Sequence, residues 1–269
     1  MIQRSNGTAE HRNQRSSYQR KMKISIITVV YNGENSIEGT IGSVLGQELS
    51  GGIKIEYLII DGMSSDGTVA KAEGCRERMA QKNIDCRIIS EPDGGIYDAM
   101  NKGIRIATGD IIGLLNSGDA YEPDTLRTVA ETFQKTGCEL MFADIRIYRH
   151  DGSSFVKKAR LRGFQTSRDW NHPTTFVRAD VYKENPFRNL GIHDDYGFFL
   201  QMKRQGRKIV TVDKVLAEFH MGGASSKKDF RAAKKRILDR YRYCYRINGY
   251  SRWYIVECVA IEAAKMILG

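Results

Sequence analysis

The sequence predicts an α/β fold with a mostly parallel, Rossmann-like sheet flanked by helices. Short β-branched runs alternate with stretches of helical apolar spacing, the runs are apolar enough to be covered on both faces, and a polar cluster ends each of four of them. Strands alternating with helices pair in parallel through right-handed crossovers. Such sheets bind ligands beyond the carboxyl ends of their strands.

The first unit begins at Lys23. Residues 24–30 form a β-branched strand that stops at Tyr31-Asn32-Gly33, and Ile37, Ile41, Val44 and Leu45 then follow helical spacing behind Asn35 or Ser36 as caps. A second strand over 55–60 ends at Asp61-Gly62, and Ser65-Asp66-Gly67-Thr68 caps a helix that runs to Ala80. A third strand spans 85–90. After Glu91-Pro92-Asp93-Gly94-Gly95 a helix covers 96–107 until Gly109 stops it. The strand that follows delivers Asn116-Ser117-Gly118-Asp119 into a small-residue turn, ahead of a helix from Pro123 to Gln134 and a strand over 139–143.

A chain of 269 residues, 41% apolar and 28% charged, has the composition of a soluble globular protein with one large or two small domains. It contains no run of about 18 uncharged apolar residues, and its start is polar and Arg-rich rather than a signal core, so the expected location is cytoplasmic. Cys75, Cys86, Cys138, Cys244 and Cys258 are scattered and lack CxxC spacing; they read as packing residues, neither a disulfide framework nor a zinc site. The formal charge of +10 gathers at the ends, with six Lys/Arg against Glu10 in residues 1–23 and ten against Asp229 and Asp239 in 227–252. The middle is near balance and carries no nucleic-acid-binding motif, so a nucleic-acid partner is not expected. Three segments result: a disordered leader over 1–22, with Met22 a candidate natural start, a globular domain over 23–225, and a basic helical extension over 226–269.

Tyr31 with Asn32, Asp61, Asp93, and Asn116 through Asp119 each follow a different strand, which makes a shared nucleotide-sized site. Ser117 and Gly118 leave room for a diphosphate to approach the backbone. Asp119 supplies an oxygen ligand for a hard divalent cation, Mg²⁺ or Mn²⁺. None of the turns reads GxGxxG or GxxxxGK[ST], which disfavours a dinucleotide fold and a P-loop.

These pieces resemble the family 2 inverting glycosyltransferases, of the bacterial polysaccharide-biosynthesis type. The resemblance rests on Ile26-Ile-Thr-Val-Val-Tyr31-Asn32, Ile59-Ile-Asp61-Gly-Met-Ser-Ser-Asp66-Gly-Thr, Ala99-Met-Asn101-Lys-Gly103 with Ala107-Thr-Gly-Asp110, and Leu115-Asn116-Ser117-Gly118-Asp119, across roughly 23–225. It implies a GT-A fold, a nucleotide-diphospho-sugar donor with a UDP-sugar favoured, and a saccharide or lipid-linked acceptor. By the same resemblance Tyr31 packs on the base, Asp61 accepts from base or ribose, Asp93 lines the nucleotide, and Lys102 meets phosphate. Asp66 is left as a helix cap. The acidic metal motif keeps only Asp119, with Asn116 and Gly118 where the family carries carboxylates, so metal is expected to bind together with the diphosphate.

In Ile192-His193-Asp194-Asp195-Tyr196, Asp195 matches the family's general base, with Asp194 as its rival. His172, in Trp170-Asn-His-Pro, matches the acceptor side, and His220, in Phe219-His-Met-Gly-Gly-Ala-Ser225, matches a His that approaches metal or diphosphate. The Gly-Gly after His220 suits a loop that closes over the donor. From Lys227 the basic, Tyr-rich tail reads either as an amphipathic helix on the anionic inner face of the plasma membrane or as a helical pair packed on the domain; a homo-oligomer interface is a third alternative. The rival functions are a nucleotidyltransferase, which would favour a Gly-rich basic signature after the first strand, and a noncatalytic sugar-nucleotide or polysaccharide-binding protein, which would have no need of Asp119 and Asp195.

Overall fold

A computed structural model describes residues 22–49, 52–221 and 230–268, with side chains through residue 264. The leader expected over 1–22, apart from Met22, and the Gly-Gly-Ala-Ser segment ending at Ser225 lie outside the described residues.

Among the described residues one nine-stranded sheet organises the chain, in the order β3-β2-β1-β4-β8-β6-β9-β5 with β7 bonded to β6. Strand β1 (Lys23–Val30) runs parallel to β2 (Lys54–Asp61) and to β4 (Ile111–Leu114), and β2 runs parallel to β3 (Asp85–Ser90). Period-two alternation along β1 feeds two cores. Ile24 and Ile26 join the core under α1 (Ile37–Leu45) and α5 (Thr125–Thr136), whereas Ile27 and Val29 join the one under α4 (Ile96–Ile106) and α7 (Asp194–Arg204).

Beyond β4 the sheet is mixed rather than parallel. Strand β8 (Phe176–Arg178) pairs antiparallel with both β4 and β6 (Leu140–Tyr148), and β5 (Ala120–Tyr121) pairs antiparallel with β9 (Ile209–His220). Strands β6 and β9 restore a parallel pair. Gly113 makes the β4–β8 junction sterically permissible, because a Cβ there would stand 2.4 Å from Phe176 Cε1. The helix expected over 68–80 is divided into α2 (Thr68–Gly74) and α3 (Arg76–Gln81) at Cys75. All five cysteines are free, and four are buried. Among the described residues no helix is long and apolar enough to cross a membrane.

At the amino ends of the strands, Glu56 of β2 is buried. Its carboxylate accepts from Ser25 Oγ at 2.5 Å, the Thr108 N–H at 2.8 Å and the Lys23 ammonium at 3.2 Å. Burial pushes the carboxyl up, but the Ser25, Thr108 and Lys23 hydrogen bonds outweigh it and hold it down to about 2. A carboxyl lowered on folding stabilises above its unfolded value of 4.5, and the gain is lost as pH falls from there through about 2. Glu56→Gln is therefore expected to cost about 2–3 kcal/mol at neutral pH and to flatten the acid limb of stability against pH, read by urea titrations.

The basic tail packs on the body. Helix α8 (Phe230–Asp239), a π-helical turn (Arg240–Arg246) and α9 (Tyr254–Leu268) place Cys244, Tyr245, Tyr254 and Cys258 in the same core as α7. Buried Arg236 and Arg240 pair with buried Glu262 at 2.7 and 3.6 Å. Part of the positive charge thus serves packing.

Candidate active site

The carboxyl ends of β1, β2, β3 and β4 converge. Val30 pairs with Asp61 and Asp61 with Ser90, so Tyr31, Gly62 and the loop carrying Asp93 follow three adjacent strands at one edge. The approach is close at Gly62, where a Cβ would lie 2.6 Å from Asp93 Oδ2 and 3.5 Å from Tyr31 Cδ2. Tyr31 is 67% exposed, leaving its ring face open to a base. Asp61, by contrast, is buried, and its carboxylate accepts from the Ser64 N–H and hydroxyl and from Ser90 Oγ at 2.9, 2.5 and 2.6 Å. Those bonds tie the turn after β2 and the end of β3 to one carboxylate. Asp93 accepts from the Gly95 N–H at 2.8 Å. Asp66 accepts from the Thr68 N–H at 3.0 Å and so closes the turn that leads into α2.

Lys102 is engaged within the protein. Its ammonium lies 3.0 Å from Glu91 and 3.8 Å from Asp98 and donates to the Pro92 carbonyl, so protein groups already meet its charge.

After β4 the chain turns tightly. The Asp119 N–H donates to the Asn116 carbonyl at 3.0 Å, Gly118 takes φ +100, and Ser117 Oγ meets Ser36 Oγ at 2.8 Å. Thr40 Oγ1 fixes the turn, donating to the Asp119 carbonyl and accepting from the Gly118 N–H. Asp119 is 5% exposed, and among the described residues no donor meets its carboxylate. Burial, only partly offset by nearby His172, pushes its carboxyl up to about 7. The Oδ1 atom of Asn116 is likewise buried without a partner.

The opposite wall comes from α7 and the loop before β8. Asn171 Nδ2 and Thr174 Oγ1 anchor that loop on the Ala143 carbonyl of β6 at 2.8 and 2.7 Å. His172 Nδ1 then lies 3.2 Å from Asp195 Oδ2, and the Tyr97 hydroxyl of α4 donates to Asp195 Oδ1 at 2.9 Å. Burial raises the Asp195 carboxyl, but the His172 hydrogen bond and charge prevail and hold it below the usual range. His172 Nε2 is buried and unpartnered. Asp194 turns away from this group, accepting from the Leu190 N–H at 2.7 Å. His193, the residue before the pair, is held from behind by Arg240 at 3.2 Å and by the Cys244 thiol donating to its carbonyl.

Ala120 pairs with Glu218, so Asp119 leaves β5 on the side where His220 leaves β9. The His220 ring stacks on Tyr148 at 4.8 Å and 7°. Three groups therefore emerge: Tyr31 with Asp61 and Asp93, Asn116 with Ser117 and Asp119, and His172 with Asp195. Tyr97 joins the third, although no spacing pointed to it, since its partner stands 98 positions later.

Among the described residues no cluster of three His, Cys, Asp or Glu side chains stands ready for a metal. The groups present nonetheless fit a divalent cation that shares a diphosphate: a buried carboxylate without a donor and an orphaned amide oxygen are oxygen ligands lacking a partner.

Known proteins share this architecture. The uncharacterized glycosyltransferase Rv1514c of Mycobacterium tuberculosis is 38% identical over 115 residues, 42% of this chain, and the match spans 41% of that relative's length. The putative teichuronic acid biosynthesis glycosyltransferase TuaG of Bacillus subtilis is 26% identical over 226 residues, covering 80% of this chain and 86% of its own. Among solved structures, S. aureus TarS in complex with UDP superposes with a TM-score of 0.60 at 16% identity, over 92% of this chain and 72% of that one. The mannosyltransferase PcManGT of Pyrobaculum calidifontis, in complex with GDP-Man and Mn²⁺, gives 0.63 at 14%, over 91% and 74%. These likenesses establish the GT-A fold. The profile of the family described as Glycosyl transferase family 2 matches residues 25–206, and the chain belongs to that family.

Proposed function

We propose that the protein transfers a sugar, with inversion, from a nucleotide-diphospho-sugar to a hydroxyl of a saccharide or lipid-linked saccharide during cell-surface polysaccharide assembly. The observation that carries this is Asp195, an ionised carboxylate held between Tyr97 and His172, with His172 also near enough to act on unpartnered Asp119. The nucleobase stacks on Tyr31 and Asp93 faces base and ribose, while buried Asp61 supports them through Ser64 and Ser90. Uracil is the favoured base; TarS structures hold UDP and UDP-GlcNAc, and the PcManGT structure holds GDP-Man. Asn116, Ser117 and Asp119 face the diphosphate, with His220 arriving from β9.

A divalent cation bound by Asp119 and Asn116 would stabilise charge on the departing diphosphate. Asp195 accepts the acceptor hydroxyl's proton as its oxygen attacks the anomeric carbon, and the Tyr97 hydrogen bond fixes the carboxylate's rotamer. A second reading has one specific support, the unpartnered Nε2 of His172: Asp195 then orients the imidazole, which takes the proton.

Thermal-shift measurements on a panel of nucleotide-sugars with and without Mn²⁺, followed by NMR of the product's anomeric configuration, test the main reading. Stabilisation by a nucleotide-sugar and an inverted product are expected; retention of configuration would refute it. His172→Gln separates the two candidate bases. With Asp195 as base, this variant is expected to keep at least about a tenth of kcat, whereas with His172 as base it falls roughly 10²–10⁴-fold.

A further inference from the structure

The loop after β7 (Ser154–Lys157) and the start of α9 form one surface. The Arg160 N–H donates to the Asp169 carbonyl at 2.8 Å, the Arg162 N–H to Gln165 Oε1 at 3.0 Å, and Lys203 Nζ to the Gly163 carbonyl at 3.2 Å. These bonds fix a curl that leaves Leu161 and Phe164 exposed. Phe164 stacks on Tyr254 at 4.4 Å and 8°, and the Gln165 N–H donates to the Tyr254 hydroxyl at 3.2 Å. The curl therefore lies alongside the first turns of α9.

The outward positions there are apolar. Trp253, Val256 and Val259 are 77%, 59% and 48% exposed, and Ala260 and Ala263 are exposed on the same helical face, while Tyr254, Cys258 and Ile261 face inward. The helix's two acids take no part in that face: Glu257 accepts from the Tyr245 hydroxyl at 3.0 Å, and Glu262 is buried against Arg236. Beside the strip stand exposed Arg160, Arg168 and Arg252, for which the described residues offer no ion pair, and Arg162, 3.5 Å from buried Asp169.

A folded domain seldom leaves such a strip in water. Exposed Trp and Phe rimmed by arginines, with no outward carboxylate, match the interfacial layer of an anionic bilayer in both chemistry and sign of charge. We propose that this surface docks on an anionic phospholipid membrane, with Phe164 and Trp253 among the headgroups and the arginines against lipid phosphates. The curl continues directly into Trp170 and His172, so docking presents the His172 side of the cleft to the membrane.

Flotation of the full chain with phosphatidylglycerol-containing vesicles tests this without any turnover, so its outcome is separate from that of the transfer reading. Binding at low salt, its loss at high salt and its absence on pure phosphatidylcholine are expected. The Phe164→Ala/Trp253→Ala double variant and the Arg160→Glu/Arg168→Glu/Arg252→Glu triple variant should each weaken binding roughly tenfold or more. These residues are exposed, so unchanged melting of the variants is expected and verifies that the fold is intact. No flotation at low salt, or equal flotation of the variants through basic residues elsewhere in the chain, overturns the proposal. So does a dimer, seen by light scattering, that the double variant dissociates in place of vesicle binding.

Discussion

Asp119→Asn is expected to lower metal-dependent turnover by roughly 10²–10³-fold, the scale on which removing one stabiliser of a developing anion acts. The nucleotide itself should still bind through Tyr31 and its neighbours, while the added thermal stabilisation by Mn²⁺ in the presence of nucleoside diphosphate disappears. Stability of the free protein should move the other way. The Asp119 carboxyl rises from 3.8 unfolded to about 7 folded, so its ionised form costs stability that is absent below 3.8 and complete above 7. Removing that charge is expected to stabilise the ligand-free protein above pH 7 by about 1–2 kcal/mol, the trade-off seen where a site is held in an unfavourable state for function. Full activity in the variant would sink the metal assignment.

For Asp195→Asn the expectation is a kcat lower by roughly 10²–10⁴-fold with donor affinity unchanged. The amide is close in shape to the carboxylate and can still meet the Tyr97 hydroxyl, so the loss reads proton acceptance rather than collapse of the wall. Asp194→Asn should act differently. Its carboxylate braces the Leu190 backbone, so reduced stability with a smaller kcat effect is expected, measured by urea titration beside steady-state kinetics. If Asp195→Asn keeps wild-type kcat, the proton goes elsewhere.

The features legible in the sequence were local ones. The run from Ile24 to Val30 announces a doubly covered strand by composition alone, and the polar residues at Tyr31, Asp61, Asp93 and Asn116–Asp119 fall at strand ends because parallel α/β sheets place ligands there. Strands of two or three residues, such as Ala120–Tyr121 and Phe176–Arg178, carry too little pattern to reveal a period, so the antiparallel half of the sheet was hidden. The pairing of Tyr97 with Asp195 and of Lys102 with Glu91 depends on tertiary placement, which spacing does not encode. Likewise, ten Lys/Arg between 227 and 252 read as surface charge, yet Arg236 and Arg240 sit in the core beside Glu262, an acid 26 positions beyond Arg236 and on a separate helix.

The hold of the π-helical turn on His193 ties one side of the site to a late part of the chain. Asp61, Ser64 and Ser90 close their hydrogen bonds within one stretch of chain, and β1 to β4 pair wholly within residues 23–114. His193, two residues before Asp195, is braced by Arg240 and Cys244, 47 and 51 positions later. During synthesis the strands that carry Tyr31, Asp61 and Asp93 can therefore pair while Asp195 still lacks that backing. A chain cut before Arg240 would keep the hydrogen bonds around Asp61 while the turn into α7 loses its brace.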